Sequence, residues 1–303
     1  MGIWRTFVPY ILNCYTMHPL IARWIQPIVM PFIWQDFLLA IPRLLGGYWM
    51  TTYFGSPKFG LPWSDPDKNL SFLEVVYWFP TDVAEYGGIF ALLAPFLAWM
   101  GAFAEGVGGI AWLLGWQTRF FSVLIGATMV VAALFQQFDN GLWNMLPALG
   151  FLWLSLFYGI LGSGRFGLDF VLTRKPSRLV WANPIPVFVL TLALAAWSPV
   201  QESKEQRVLF QLDTSSFTGD IQTVGIRGEG NPLSWRTDFP LVKNEKTGLY
   251  EGECRANTGY AKTEVKFVIN GEFEFQDDSN RVIYFAPDQN TRVRSTWNRR
   301  SDQ

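Results

Sequence analysis

Through the first two hundred residues, long uncharged runs alternate with short charged ones, and after that the pattern changes to short strand-like alternation. A helix needs about 20 mostly apolar residues to cross the hydrocarbon core of a bilayer. Runs of that kind extend from Tyr86 past Glu105 to Trp116, from Phe120 to Phe138, from Asn140 to Gly164 and from Leu179 to Gln201. The stretch from about Met30 to Phe54 is apolar apart from Asp36 and Arg43 and is read as the first span. Five transmembrane helices are therefore expected. The run from Tyr86 to Gly115 is too long for one crossing and contains Pro95, where a helix tends to break or kink. An interfacial helix is accordingly expected near 71–93, with the crossing at about 95–116.

Beyond residue 200 the periodicity is that of strands, short alternating runs bounded by turn residues. Arg207 to Leu212, Ile221 to Arg227, Gly248 to Cys254, Glu264 to Ile269 and Arg281 to Phe285 each fit. Asn270-Gly271 is a strong hairpin dipeptide. About seven short strands in roughly a hundred residues predict an all-β, immunoglobulin-like sandwich. The expected organisation is an N-terminal segment over 1–29 and a four-helix membrane domain over 30–178. A fifth transmembrane helix over 179–200, a polar linker over 201–206 and the sandwich over 207–303 follow.

Charge sharpens this division. Residues 1–200 carry 10 of the 24 Lys and Arg and 9 of the 25 Asp and Glu, so most charge lies in the last hundred residues. A net charge of −1 gives no field that would attract nucleic acid. Lys and Arg in short loops mark the cytoplasmic side of a membrane protein. Arg5 and Arg23 precede the first span, Arg119 lies between spans two and three, and Arg165, Arg174, Lys175 and Arg178 lie between spans four and five. The opposite loops carry only Lys58 and Lys68, among several carboxylates. That places the N-terminus on the cytoplasmic side and, after five crossings, the sandwich outside; the membrane expected is a bacterial inner membrane. No cleaved signal-peptide pattern is present, so the first span is expected to direct insertion. Cys14 and Cys254 then face opposite sides and are not expected to pair.

Isolated charges in apolar runs are the candidate functional residues, because an ionised side chain at bilayer depth costs about 3 kcal/mol and persists when paired or facing protein. Glu105 shares its helix with Gly101, Gly108 and Gly109, small residues that let a neighbouring helix approach. Arg43 is the expected partner of Glu105 in an intramembrane ion pair. Two readings of that pair stand side by side. One is a structural pin between helices; the other is a polar pocket for a quinone or an anionic sulfur species. In the pocket reading Arg43 and Arg119 hold the anion and Glu105 accepts a proton. Arg119 is also suited to lipid phosphates at the cytoplasmic edge. Asp36 and Glu85 are weaker candidates, because both can reach the interface.

Two family resemblances rest on particular motifs. "IPRLLGGYWMTTYFGSPKFG", "AEGVGGIAWLLGWQTRFFSVLIGATMVVAALF" and "GSGRFGLD" resemble the DoxX family of small four-helix membrane proteins over about residues 30–170. The matching positions are Arg43, Glu105 with Gly108 and Gly109, Gly115 with Arg119, and Gly162, Gly164, Arg165 and Asp169. The resemblance implies an accessory subunit of a membrane redox complex. Members related to DoxD serve in thiosulfate:quinone oxidoreductase, which makes quinone the implied cofactor and other membrane subunits the implied partners. In the last hundred residues, "VGIRGEGNPLSW" and "GLYEGECRANTGYAKTEVKFVINGEFEFQDDSNRVIYF" resemble starch-binding and glycogen-recognition modules. The positions that carry this likeness are Gly228, Leu233, Trp235, Lys266, Phe267, Asn280 and Arg281. Trp235, Phe273, Phe275 and Lys266 are the candidate glycan or partner surface, since sugar stacking needs an exposed flat aromatic face.

Other chemistry has no foundation in the sequence. "GSGRFG" at 162–167 follows a membrane helix rather than a strand and opens no dinucleotide-binding unit. The single His, His18, has no neighbouring ligand set for haem or zinc, and no catalytic triad or phosphate-binding loop is present. Whether the chain is itself an enzyme stays open at this point. The leading expectation is an accessory membrane redox subunit with an outward partner-binding sandwich; the alternative is a non-enzymatic, membrane-anchored glycan-binding or assembly module.

Overall fold

In the computed structural model, which describes residue 21 and residues 24–174, 179–276 and 278–300, helices occupy the first two hundred residues and strands the last hundred. Arg5, Cys14, His18, Arg23, Lys175 and Arg178 lie outside the described residues. The chain divides into two units. One comprises residues up to Ser64 with Ser71–Val200, and the other Asp65–Leu70 with Gln201–Gln303.

Three helices of the first unit have the length and apolarity to cross a membrane: Ala94–Leu114, Thr118–Gln136 and Leu142–Leu161. At 1.5 Å per residue each spans about 30 Å, the thickness of a hydrocarbon core. Helix α1, Ile33–Trp49, continues as a π-helical turn over Met50–Gly55. Helices α2, Phe79–Glu85, and α3, Gly88–Leu92, precede α4, Ala94–Leu114, and α5, Thr118–Val131, runs on as a π turn over Ala132–Gln136. Helices α6, Leu142–Leu161, α7, Leu168–Thr173, α8, Leu179–Ala182, and α9, Pro184–Trp197, follow.

Burial separates the centre of this bundle from its rim. On α4, Ala98, Trp99, Ala102, Ala104, Ala111 and Trp112 are all buried. On α6 only Ala148, Phe151, Ser155 and Tyr158 are, one stripe at helical spacing, while Trp143 is 85% exposed. Such an apolar outer face belongs against lipid. Glycine sets the closest helix contact. A Cβ on Gly55 would lie 2.5 Å from the Gly106 Cα, so α4 and the end of the first helix meet backbone to backbone.

Two expectations about these helices change. The run 179–200 breaks at Asn183, whose side chain accepts the Ile185 N–H and caps a new helix of 14 residues. That helix is about 21 Å long, short of one crossing. The interfacial helix expected near 71–93 is two short helices, and residues before Phe79 instead form a turn in which Val75 bridges Phe59 and Val200.

The second unit contains nine described strands. They are β1, Lys204–Asp213, β2, Val224–Gly228, β3, Phe239–Pro240, β4, Val242–Lys243, and β5, Tyr250–Thr258. After these come β6, Lys262–Ile269, β7, Glu272–Phe273, β8, Arg281–Tyr284, and β9, Asn290–Thr296. One sheet has the order β4-β5-β1-β9, and the other β3-β2-β6-β7 with β8 also paired to β6. Strands β1 and β6 turn Val208, Phe210, Leu212, Val265, Phe267 and Ile269 into a common core. Asn270 and Gly271, at φ 53° and 84°, form the tight hairpin between β6 and β7. Strand β9 runs parallel to β1 and lies outside the expected strand set; it alternates Thr291, Val293 and Ser295 inward with polar residues outward. The linker is also shorter than expected. Lys204 already belongs to β1, and the Gln201 amide is buried, donating to the carbonyls of Lys68, Asn69 and Gly259.

Candidate functional site

Glu105 is enclosed in the middle of α4, and its partner is Lys58 rather than Arg43. The Lys58 Nζ donates to both carboxylate oxygens, at 3.1 and 2.8 Å. The local chain explains why. The glycine contact between Gly55 and Gly106 brings the end of the first helix beside Glu105. Lys58 follows three residues later, its N–H bonded to the Gly55 carbonyl and its own carbonyl accepting from Val76. Phe59 is buried against Trp99 and Phe103, at centroid distances of 5.7 and 6.4 Å, and this anchors the backbone from which the lysine stem reaches inward.

The pair forms the polar wall of a cavity of about 240 Å³. Its other walls come from α2 and α3, from α4, and from α5 with its π turn, and they are almost wholly apolar: Phe79, Val83, Phe90, Met100 and Leu124 are representative. The ammonium also sits 5.1 Å from the centre of the Phe79 ring. In such an arrangement, facing an apolar chamber, the carboxylate can accept or return a proton and the ammonium can donate a hydrogen bond to an oxygen on a ligand.

Arg43 and Arg119 have a different task. Arg43 donates to the Trp112 carbonyl, to Leu113 at 3.2 Å and to Phe166 at 2.8 Å, closing off the orphan carbonyls at the end of α4. Arg119 does the same for α6, donating to Ile160 at 2.8 Å, and it also holds the carbonyls of Trp24 and Gln26. The expected Arg43–Glu105 pair is therefore not formed, and Arg119 directs its donors to protein carbonyls. Asp36, expected to reach the interface, is instead buried and lies 3.0 Å from the Arg165 Nε. Asp169 accepts the N–H groups of Gln117 and Thr118, at 2.7 and 3.0 Å, and caps α5 from a distant segment. The "GSGRFGLD" segment is thus a set of ties between helix ends.

The family match is to DoxX, over residues 68–137. It takes in Glu105, Gly108, Gly109, Gly115, Arg119 and the cavity walls contributed by α2 to α5, while Arg43 and Lys58 precede it. No curated protein matches the chain. The DoxX-like stretch therefore supplies the carboxylate, and the preceding segment supplies the ammonium that completes the site.

In the second unit the four candidate surface residues separate. Trp235 is 38% exposed and lies 6.5 Å from the Phe273 ring, over which Arg227 stacks at 5.0 Å. Phe275 has Arg281 at 4.8 Å and Arg300 at 5.0 Å from its ring centre, so these guanidinium groups already stack on it. Lys266 is buried, with its Nζ bonded to the carbonyls of Phe275 and Asp278 at 2.8 Å each. Lys266 is therefore held inside the β unit, with its ammonium turned onto backbone carbonyls.

Lys58 is the partner of Glu105 that sequence reasoning missed. In sequence it reads as a loop charge opposite the basic side. The signal lies in its position, three residues past Gly55, from which a four-carbon stem can fold back along the helix end.

Proposed function

We propose that the protein is an accessory subunit of a membrane redox complex, and that its Lys58–Glu105 cavity receives the head of a quinone or a chemically similar lipid-soluble carrier. The single observation that carries this reading is a charged, hydrogen-bonding pair on the wall of an otherwise apolar chamber within membrane helices. A packed salt bridge with a purely structural role would leave no such space. The fit is to a small head group. Pockets for drug-sized ligands occupy about 300 to 1,000 Å³, so this chamber suits one ring, with an apolar tail continuing into lipid. Lys58 carries three N–H donors, enough to serve Glu105 and a ligand carbonyl together. Bound quinone would supply the electron-carrying chemistry, while Lys58 orients its oxygen and Glu105 holds or receives the proton.

The distribution of Lys and Arg supports a cytoplasmic N-terminus in a bacterial inner membrane, and α8 with α9 together supply the fifth crossing that an outward second unit requires. In this reading that unit binds a partner protein of the complex. The exposed Trp235 beside Phe273 favours a second reading of the same unit, a glycan-binding face. Titration of the protein in nanodiscs with a short-tailed quinone tests the main proposal. Saturable binding is expected for the native chain and its loss in Lys58→Met/Glu105→Gln, with the fold retained; equal affinity in both proteins refutes it.

A further inference from the structure

We infer that the segment from Gly88 to Leu93 is a flap over the Lys58–Glu105 cavity and that Phe90 is its plug, admitting ligand sideways from the lipid. The inference rests on the cavity being a ligand site and not on which ligand it takes. Helix α3 occupies most of this segment but sends only Phe90 into the cavity wall. Its other large side chains turn away: Ile89 is 62% and Leu92 78% exposed. The segment is therefore held by one side chain where its neighbours are held by several; on α2, Phe79 and Val83 are both buried.

Both ends of the segment are built to bend. Gly87 and Gly88 adopt φ of 72° and 55°, and a Cβ on either would meet nothing within 4 Å. Two consecutive left-handed glycines in open space leave the backbone free to change direction without disturbing packed neighbours. At the other end Leu93 leaves helical geometry, with φ −114° and ψ 23°, and Pro95 lies in the first turn of α4.

An aromatic cluster holds the flap in place. The Phe90 ring lies 4.9 Å from Phe135 and 5.7 Å from Tyr86, and Tyr86 and Phe135 are themselves 5.7 Å apart. Phe135 stands on the π-helical turn that ends the α5 helix, a local irregularity that often accompanies functional sites. Tyr86 and Phe90 both line the cavity, so withdrawing Phe90 widens its mouth between α3 and α5. An apolar flap of this kind passes a lipid-soluble molecule more readily than a hydrated ion.

Accessibility of the chamber tests the flap without reference to any ligand. With Cys14 and Cys254 replaced by Ala, Thr128→Cys places a single thiol on the cavity wall, and N-phenylmaleimide in nanodiscs reports how often it is reached. Phe90→Ala is expected to raise the labelling rate about tenfold by removing the aromatic contacts that favour the closed state. Phe90→Leu should give an intermediate rise, which keeps the test usable where the alanine variant folds poorly. Ile89→Ala, on the outer face, should leave the rate unchanged. Equal rates in the Phe90 and Ile89 variants overturn the inference. The labelling assay contains no quinone, so a failure of quinone binding and a failure of the flap are read separately.

Discussion

Removing Lys58 while leaving Glu105 should destabilise the helical unit more than removing both. The carboxylate is almost completely shielded, with 4% side-chain exposure, and Lys58 is its hydrogen-bonded cation at 2.8 Å. Breaking one partner of a buried pair typically costs about 3 to 5 kcal/mol, because a buried charge is left uncompensated. Lys58 keeps 17% exposure against 4% for Glu105, and Lys58→Met belongs near the lower end, about 3 kcal/mol. Glu105→Gln falls in the same range, since it strands the ammonium beside a neutral amide. Lys58→Met/Glu105→Gln removes both charges together, and replacing a whole buried pair by neutral groups is often close to neutral. The assay is reversible unfolding in mixed micelles, with the two single variants and the double variant forming a cycle. A coupling of about 2 kcal/mol or more is expected, well above the roughly 0.5 kcal/mol scatter of independent sites. Strict additivity would show that the two groups do not interact and would refute the pairing on which the site rests.

Two further outcomes follow from other ties in the fold. Asp169→Ala should cost about 2 to 3 kcal/mol in the same unfolding assay, because it leaves the Gln117 and Thr118 N–H groups of α5 without their acceptor. Asp169→Asn should recover part of the loss, and a change below about 0.5 kcal/mol would show that the cap contributes little. In the second unit, burial pushes the Cys254 thiol up to about 11, so it stays neutral at pH values where an ordinary thiol near 9 has ionised. Disulfide-exchange labelling of a Cys14→Ala protein at about pH 9.5 should therefore be at least about tenfold slower in the folded than in the unfolded state. Equal rates would place the thiol in solvent.

The hydrophobic pattern was sufficient to locate the three long apolar helices, and the strand alternation located β1, β5, β6 and the Asn270-Gly271 hairpin. The fifth apolar run was legible as apolar but not as broken, since the break depends on whether Asn183 caps a new helix. Strand β9 was invisible because Asn290–Thr296 contains one strongly apolar residue, Val293, and its place is fixed by parallel pairing with β1, far earlier in the chain.

Glu105 was legible for a similarly simple reason: a carboxylate in an apolar run must be compensated wherever the chain folds. Which cation compensates it was not. Arg43 and Lys58 were both available in sequence, and the decision rests on three-dimensional reach. Arg43 lies where it meets the free carbonyls at the end of α4, whereas the close approach of Gly55 to Gly106 delivers Lys58 to the carboxylate. Composition and periodicity thus determined that the protein has a membrane-helical part and a β part, and that certain charges need partners, because those follow from transfer energies along the chain. Only the tertiary structure decided the pairings and opened a cavity beside one of them, because partner choice depends on side-chain reach across helices that one-dimensional spacing does not encode.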